Sequence, residues 1–159
     1  MSEKKDILKF LAENAFVRCD RAFKDITEKE IEWRPVPESN NIRWILTHLS
    51  TEWNLGLVRM IKGDAKYKPA DWPDDYDKVN HHLPKLLGDL EKGKAAVLTG
   101  LDSLKPADLD ADIDLGRGPR KRMAMLATYL LEEVQHAGQI AMLKGDIARR
   151  REKEPNFLK

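Results

Sequence analysis

The sequence predicts an all-α protein, an antiparallel four-helix bundle in which residues 1–159 form one domain. Apolar residues recur at steps of three and four along four long stretches of the chain. No stretch shows the alternation of apolar and polar residues that is typical of a strand. A chain of 159 residues is long enough to bury a core without disulfides, so one bundle accounts for its length.

The first two helices are separated by a short proline-containing break. Residues 4–26 carry one apolar face, formed by Leu8, Leu11, Ala15, Cys19, Ala22 and Ile26. Pro35 and Pro37 then exclude a helix, and the chain continues with three suitable N-cap residues, Ser39, Asn40 and Asn41. The second helix covers 41–63 and is expected to end at Gly63. Its apolar face contains Ile42, Leu46, Leu49, Trp53, Leu57 and Met60.

Two long connections flank the third helix, one between helices 2 and 3 and one between helices 3 and 4. The first, residues 64–79, contains prolines, aromatic residues and aspartates. The third helix covers 80–98, with an asparagine as its expected N-cap. The second connection, 101–120, ends in the basic run "GRGPRKR". The fourth helix covers 121–144 and is expected to stop at Gly145, leaving a charged tail that is frayed or bound to the surface.

The composition excludes several classes of protein. A net charge of +1 gives no long-range field for nucleic acid or an anionic membrane, so we expect neither as a partner. We find no run of 18 apolar residues and no apolar signal segment, so the expected location is cytoplasmic. Cys19 is the only cysteine, which excludes an internal disulfide and any multi-cysteine zinc site. A bound metal ion would therefore need mainly His, Asp and Glu ligands.

The histidines offer one candidate for such a site. Glu132 and His136 are four residues apart on the last helix, so their side chains share a face and can converge on one ion. An ordinary solvent-facing pair is the favoured reading of that helix alone. His48 lies among large apolar residues of the second helix, where it is either buried and hydrogen-bonded or a ligand. Bundle metal sites are built from inward residues on facing helices. We expect His81 and His82 at the surface, outside the site.

Three further side chains stand close to these candidates along the helices. Gln139 lies one turn beyond His136 and can orient a ligand, although a surface glutamine fits as well. Glu52 follows His48 by four residues and can hydrogen-bond its imidazole, or it is a solvated glutamate. Glu133 is a weaker alternative to Glu132 as a ligand.

The sequence also suggests surfaces for a substrate and for a partner. The run "GRGPRKR" is either a solvated basic linker, which we favour, or an anion site. An aromatic pocket near the second helix is possible from four residues, Trp44, Trp53, Trp72 and Tyr67. The first two helices carry more aromatic side chains than one apolar face toward the core requires, which suggests an exposed aromatic surface and a homodimer. The residues are Phe10, Phe16, Phe23 and Trp44.

Two motifs resemble the DinB-like helical bundle superfamily. "EIEWRPVPESNNIRWILTHLSTEW" contains a Trp-Arg-Pro turn, a capped helix start and Trp-Ile-Leu-x-His-Leu, and "LLEEVQHAGQIAMLKG" is similar to the last helix of that family. The resemblance implies a helical bundle in which His48, Glu132 and His136 bind a divalent metal ion. The common family pattern has histidine where this chain has Glu132. A glutamate there occurs in the thiol-dependent branch that includes mycothiol-dependent maleylpyruvate isomerase.

Two functions of different classes follow from these observations. The first is a metal-dependent enzyme with an open site of two histidines and one glutamate. It would act on a small molecule, either as a thiol-dependent transferase or isomerase or as a small hydrolase. In the thiol-dependent case, its partner would be a low-molecular-weight thiol. Zinc is the first choice of metal, and nickel or iron remain open. The second is a non-catalytic, metal-binding or dimerising bundle protein of a stress response, suggested by the lack of an evident nucleophile or general base.

Overall fold

The computed structural model describes residues 3–158, and the chain is mainly α-helical over them, as predicted. The elements in chain order are α1 (Glu3–Phe23), α2 (Glu28–Glu32), α3 (Ile42–Thr51), a π-helical turn (Glu52–Gly56), α4 (Leu57–Lys62), a 3₁₀ turn (Tyr76–Lys78), α5 (Leu83–Ser103), α6 (Pro106–Asp110), β1 (Asp112–Ile113), β2 (Arg120–Lys121) and α7 (Arg122–Lys153). The two short strands pair antiparallel. Among the described residues, no helix combines the length and apolarity that a membrane span requires.

The long helices share one hydrophobic core, which their predicted apolar faces enter. Trp53 and Phe16 meet at its centre, with ring centroids 4.6 Å apart. Phe16 and Phe23 are therefore core residues, and the expectation that they add to an aromatic surface is wrong. Phe10 and Trp44 do lie at the surface, 64% and 47% exposed. Of the four aromatic residues expected at the surface, Phe10 and Trp44 are therefore available to a partner.

Neighbouring helices are not all antiparallel. The Cys19 thiol contacts the backbone oxygen of Glu133, and Lys144 reaches the backbone oxygen of Ala22. Because these contacts follow the same order in both helices, α1 and α7 run parallel. The stretch from α3 to α4 is likewise parallel to α5, through two contacts in the same order (Asn54 with Asp89, Ile61 with Gly100). These directions differ from a simple up-and-down arrangement, and the four-helix bundle itself stays a prediction.

Several helix ends follow the predicted capping residues. The Asn41 side chain accepts a hydrogen bond from the backbone N–H of Trp44 and so caps α3. Gly63 ends α4 in the left-handed conformation, with φ of 66°. The first helix ends at Phe23, before the predicted Ile26, because α2 begins its own capping box at Thr27.

The last helix is longer than predicted. It passes Gly145 and continues to Lys153, because Ile147 remains buried against the core. Arg151 then holds the tail by donating hydrogen bonds to Glu30 Oε1 (2.7 Å) and to the backbone oxygen of Phe157 (3.0 Å). The tail is therefore anchored against α2, and the expected stop at Gly145 is wrong.

The start of α5 also differs from the prediction. The helix begins at Leu83, and Asn80 does not cap it. Instead the Glu28 side chain of α2 accepts a 2.8 Å hydrogen bond from the backbone N–H of Leu83. A carboxylate from a distant part of the chain thus supplies the negative charge that a helix N-terminus favours.

The paired histidines before α5 have different surroundings. His82 is exposed and lies 3.3 Å from Glu28, as expected for a surface residue. His81 is buried, with its Nε2 atom 2.9 Å from the backbone oxygen of Tyr76. The expectation that His81 lies at the surface is wrong, because the connection folds its Tyr76 segment over that ring.

Candidate metal centre and adjoining cavity

Two of the predicted ligands lie side by side although they come from different helices. The rings of His48 on α3 and His136 on α7 have centroids 4.8 Å apart and are inclined by 67°. On its other side, His48 stacks on the indole of Trp44 at 5.4 Å. The amphipathic faces of the two helices thus place both imidazoles at one position on the edge of the core.

Glu132 lies close enough to act electrostatically on this pair. Burial and the neighbouring His136 lower the pKa of His48, while the charge of Glu132 opposes that shift. Among residues 3–158, however, no group of three or more His, Cys, Asp or Glu side chains is placed to hold a metal ion. The structure brings the two histidines together, and the complete set with Glu132 stays a prediction.

Gln139 makes the contact that its spacing suggested. Its Oε1 atom lies 3.1 Å from Nδ1 of His136. An amide oxygen can only accept, so Nδ1 carries the proton in this arrangement. In the neutral ring, the Nε2 atom of His136 then carries the lone pair with which an imidazole binds a metal ion.

Glu52 is the first residue of the π-helical turn, and the turn determines the surroundings of its carboxyl group. The backbone N–H of Leu57 donates to the oxygen of Glu52, five residues earlier. A Cβ atom at Gly56 would lie 2.3 Å from Oε2 of Glu52, so the glycine leaves room for the carboxyl group in its present position. Oε2 is buried without a hydrogen-bond partner among the described residues. The predicted hydrogen bond to His48 therefore stays a prediction.

Burial is also the main influence on the acidity of Glu52. It raises the pKa of this carboxyl group to about 7, with a further contribution from the charge of Glu132 and an opposing one from Arg59. The group can therefore change its protonation state near neutral pH. Such a carboxyl at the wall of a cavity is a candidate for proton transfer.

Glu133 occupies a different environment from its neighbour Glu132. Its side chain is 1% exposed, and its Oε2 atom accepts a 2.6 Å hydrogen bond from Trp53 Nε1. Burial raises its pKa to about 8, although the Trp53 hydrogen bond opposes the shift. Its carboxyl group is engaged in the core, which argues against Glu133 as a replacement for Glu132 at the metal site.

A cavity of about 350 Å³ lies beside the π-helical turn. Glu52 and Gly56 form part of its wall. The rest comes from α4, the connection after it, the 115–120 segment and the start of α7: Arg59, Met60, Ala65, Leu115, Arg117, Gly118, Arg120, Ala124, Met125, Thr128 and Tyr129. None of the four aromatic residues expected in a pocket lines it. Trp53 lies in the core and Trp72 stacks on Tyr76 at 4.2 Å, so the predicted aromatic pocket is not formed there.

The basic run of the second connection reaches this cavity through Arg117 and Arg120. Asp114 Oδ1 accepts hydrogen bonds from the backbone N–H groups of Gly116 (2.8 Å) and Gly118 (3.1 Å). Both glycines have positive φ, 93° and 84°, which residues with a side chain rarely adopt. The sequence suggested a solvated basic linker or an anion site for this run, and it could not show that the run places two arginines at a cavity.

Comparison with known proteins agrees with the motifs. The family model of the DinB superfamily matches residues 13–140. The chain belongs to the DinB superfamily. The resemblance drawn from the motifs around His48 and His136 is thereby confirmed at the level of the family.

A solved structure supports the fold of this DinB-superfamily chain. A conserved protein from Enterococcus faecalis has a similar structure, with a TM-score of 0.68 and 18% sequence identity. The similarity covers 90% of this chain and 96% of the other. At that identity the likeness concerns the fold. None of the curated proteins matches the sequence.

Proposed function

We propose that the protein is a metal-dependent enzyme in which His48, Glu132 and His136 bind one divalent ion. The observation that carries the proposal is the pairing of the His48 and His136 rings at 4.8 Å from two separate helices. Zinc is the first choice, because two imidazoles and one carboxylate match the ligands of catalytic zinc sites with an open position. Nickel and iron are the alternatives.

The surroundings of the pair support this ligand set. Gln139 fixes the ring of His136 with Nε2 free, and Glu132 already acts on His48 through its charge. Glu132 is exposed, so its side chain can turn toward the imidazoles without disturbing the core. A bound ion would supply a nucleophile near neutral pH by lowering the pKa of water or a thiol.

The reaction we propose is thiol-dependent transfer or isomerisation, with hydrolysis as the alternative when water is the nucleophile. The thiol must come from a separate small molecule, since Cys19 is fully buried in the core. Glu52 would hold or release a proton at the wall of the cavity. We place this activity in the cytoplasm, where low-molecular-weight thiols are kept reduced.

The architecture that we propose for this enzyme is a four-helix bundle of the up-down-down-up kind. The parallel contacts between α1 and α7, and between α4 and α5, support it. A bundle of that order needs a long connection between its second and third helices, and the segment between α4 and α5 is long enough to provide one.

The test is elemental analysis of untagged protein together with three variants, His48→Ala, Glu132→Ala and His136→Ala. We expect about one divalent ion per parent chain, and its loss in each variant while helicity is retained. His82→Ala removes an exposed histidine outside the site and should keep the ion. A parent that contains no metal ion and takes up neither zinc nor nickel would refute the proposal.

A non-catalytic, dimerising protein is the second candidate. It is favoured by exposed apolar side chains on α1, Ile7, Phe10 and Val17, and on the adjacent α7, Leu131 and Met142. If this surface joins two copies, Phe10→Glu should convert a dimer to a monomer in light-scattering measurements. A parent that is monomeric at high concentration would exclude this role.

A further inference from the structure

The cavity beside the π-helical turn holds more positive charge than its own residues neutralise. Arg59, Arg117 and Arg120 line it, whereas Glu52 is the only carboxyl group among its lining residues. Neither Arg117 nor Arg120 forms an ion pair or hydrogen bond through its side chain with the described part of the chain. Arg59 donates its Nε to the backbone oxygen of Tyr67, and within residues 3–158 its terminal nitrogens make no hydrogen bond, although its charge acts on Glu52.

These three side chains come from elements that the fold holds in place. Arg59 lies within α4, and Arg120 lies in β2, paired with Ile113 of β1. Arg117 sits in the turn that Asp114 closes with two hydrogen bonds. The backbone at each arginine is therefore held by the fold, which keeps the three side chains around one cavity.

Part of the cavity wall is apolar. Met60 is buried, and Leu115 and Met125 are partly buried and packed against the core. Guanidinium forks match the planar geometry of carboxylates, and the methionine side chains adapt to apolar groups of different shape. The size of the cavity is at the lower end of the range for small-molecule sites.

We infer that the cavity binds a small organic carboxylate, with its anionic group held by Arg59, Arg117 and Arg120 and its apolar body against Met60, Leu115 and Met125. The inference rests on the proposed function for the reaction and deepens it by naming the class of substrate. Glu52 connects the cavity with the candidate metal ligands, because it lines the cavity and its pKa is influenced by the charge of Glu132. A carboxylate held here thus lies on the side of the turn next to the candidate metal ligands.

The test is an NMR titration of metal-free protein with hexanoate, hexanol and hexylammonium. We expect saturable shifts for hexanoate at the backbone amide of Gly118, which lines the cavity, and none at Gly88, an exposed glycine on α5. Hexanol should bind more weakly, and hexylammonium should not bind. Inorganic phosphate, which has no apolar body, should bind more weakly than hexanoate.

The variants separate a site from a general charge effect. The double variant Arg117→Gln/Arg120→Gln should weaken hexanoate binding about tenfold or more, since charge-assisted hydrogen bonds are lost. Arg18→Gln/Arg21→Gln removes the same two charges from exposed positions of α1 and should leave the affinity unchanged. The inference would be overturned if both variants weakened hexanoate binding equally or if hexanoate binding did not saturate. Hexanol binding as tightly as hexanoate, or phosphate binding more tightly, would also overturn it.

The metal-free titration keeps this result distinct from the proposed function. Hexanoate binding in a protein that takes up no metal ion would leave the carboxylate site standing and refute only the metal centre. Metal uptake without hexanoate binding would retain the metal centre and overturn the assignment of substrate class.

Discussion

Trp53 and Glu133 are joined inside the core by a 2.6 Å hydrogen bond from the indole Nε1 to the carboxyl Oε2. The pair links the second residue of the π-helical turn to α7. It also places an ionisable group in an apolar environment, where the charged form is disfavoured.

Stability should therefore fall as pH rises through the neutral range. The pKa of Glu133 is about 8 in the folded protein and about 4.5 in a model peptide. Between these values the unfolded chain ionises while the folded chain keeps its proton, so the free energy of unfolding falls with rising pH. The slope from this group is at most about 1.4 kcal/mol per pH unit. Its contribution is fully present below pH 4.5 and lost as pH passes about 8.

Glu133→Gln tests this directly, because it removes the titration and keeps an oxygen that can accept from Trp53. Thermal unfolding of metal-free protein at pH 5 to 8 should show a flatter dependence in the variant, with its largest advantage over the parent at pH 8. Glu38→Gln, at an exposed position, serves as the control. An unchanged slope in Glu133→Gln would contradict the expectation.

Gly56→Ala should destabilise the parent protein but stabilise the Glu52→Ala variant. In the parent, the new Cβ meets Oε2 of Glu52 at 2.3 Å, so the carboxyl group must move. In Glu52→Ala the obstacle is gone, and the alanine should stabilise the helix by up to about 1 kcal/mol. Denaturant unfolding of the four proteins measures the coupling. Additive changes would show that the two side chains do not interact.

Arg151→Ala should destabilise the protein by about 1–3 kcal/mol, since it removes a charge-assisted bond to the nearly buried Glu30 and releases the tail. Limited proteolysis should then cleave the chain near Phe157 faster than in the parent. Arg149→Ala removes only an exposed contact with Asp146 and is the matched control. Equal losses in the two variants would argue against a specific anchor.

Cys19 should not react with thiol reagents in the folded protein. It is fully buried, its thiol contacts the backbone oxygen of Glu133, and burial raises its pKa. Iodoacetamide labelling should follow the rate of global unfolding and become rapid only in denaturant. Fast labelling under native conditions would make Cys19 a candidate nucleophile and revise the proposal of an external thiol.

The sequence was sufficient for features that depend on local pattern. The apolar face of the second helix, the Asn41 cap and the Gly63 end each follow from residues within a few positions. The proximity of His48 and His136 did not follow from either helix alone, because it depends on α3 lying next to α7. Long-range partners were not accessible in this way. Nothing near Leu83 indicates that Glu28 caps α5.

Glu132 and Glu133 show the same limit at the candidate site. They are identical residues at adjacent positions, and about 100° of rotation separates them on a helix. That rotation puts Glu132 at the surface near His48 and Glu133 in the core against Trp53. Which of the two glutamates is buried depends on the helix that packs against each side of α7. The sequence of α7 does not show this, because the partner Trp53 belongs to a different helix.

The π-helical turn also affects how this chain lines up with its relatives. One residue more than an α-helix needs is accommodated between Glu52 and Gly56, and the buried residues Leu57 and Met60 fix the position of the helix that follows. A homologue with an unbroken α-helix here would match this chain only through a one-residue gap. An ungapped alignment would pair the wrong residues on one side of the turn, and a catalytic residue transferred between such sequences would be displaced by one position.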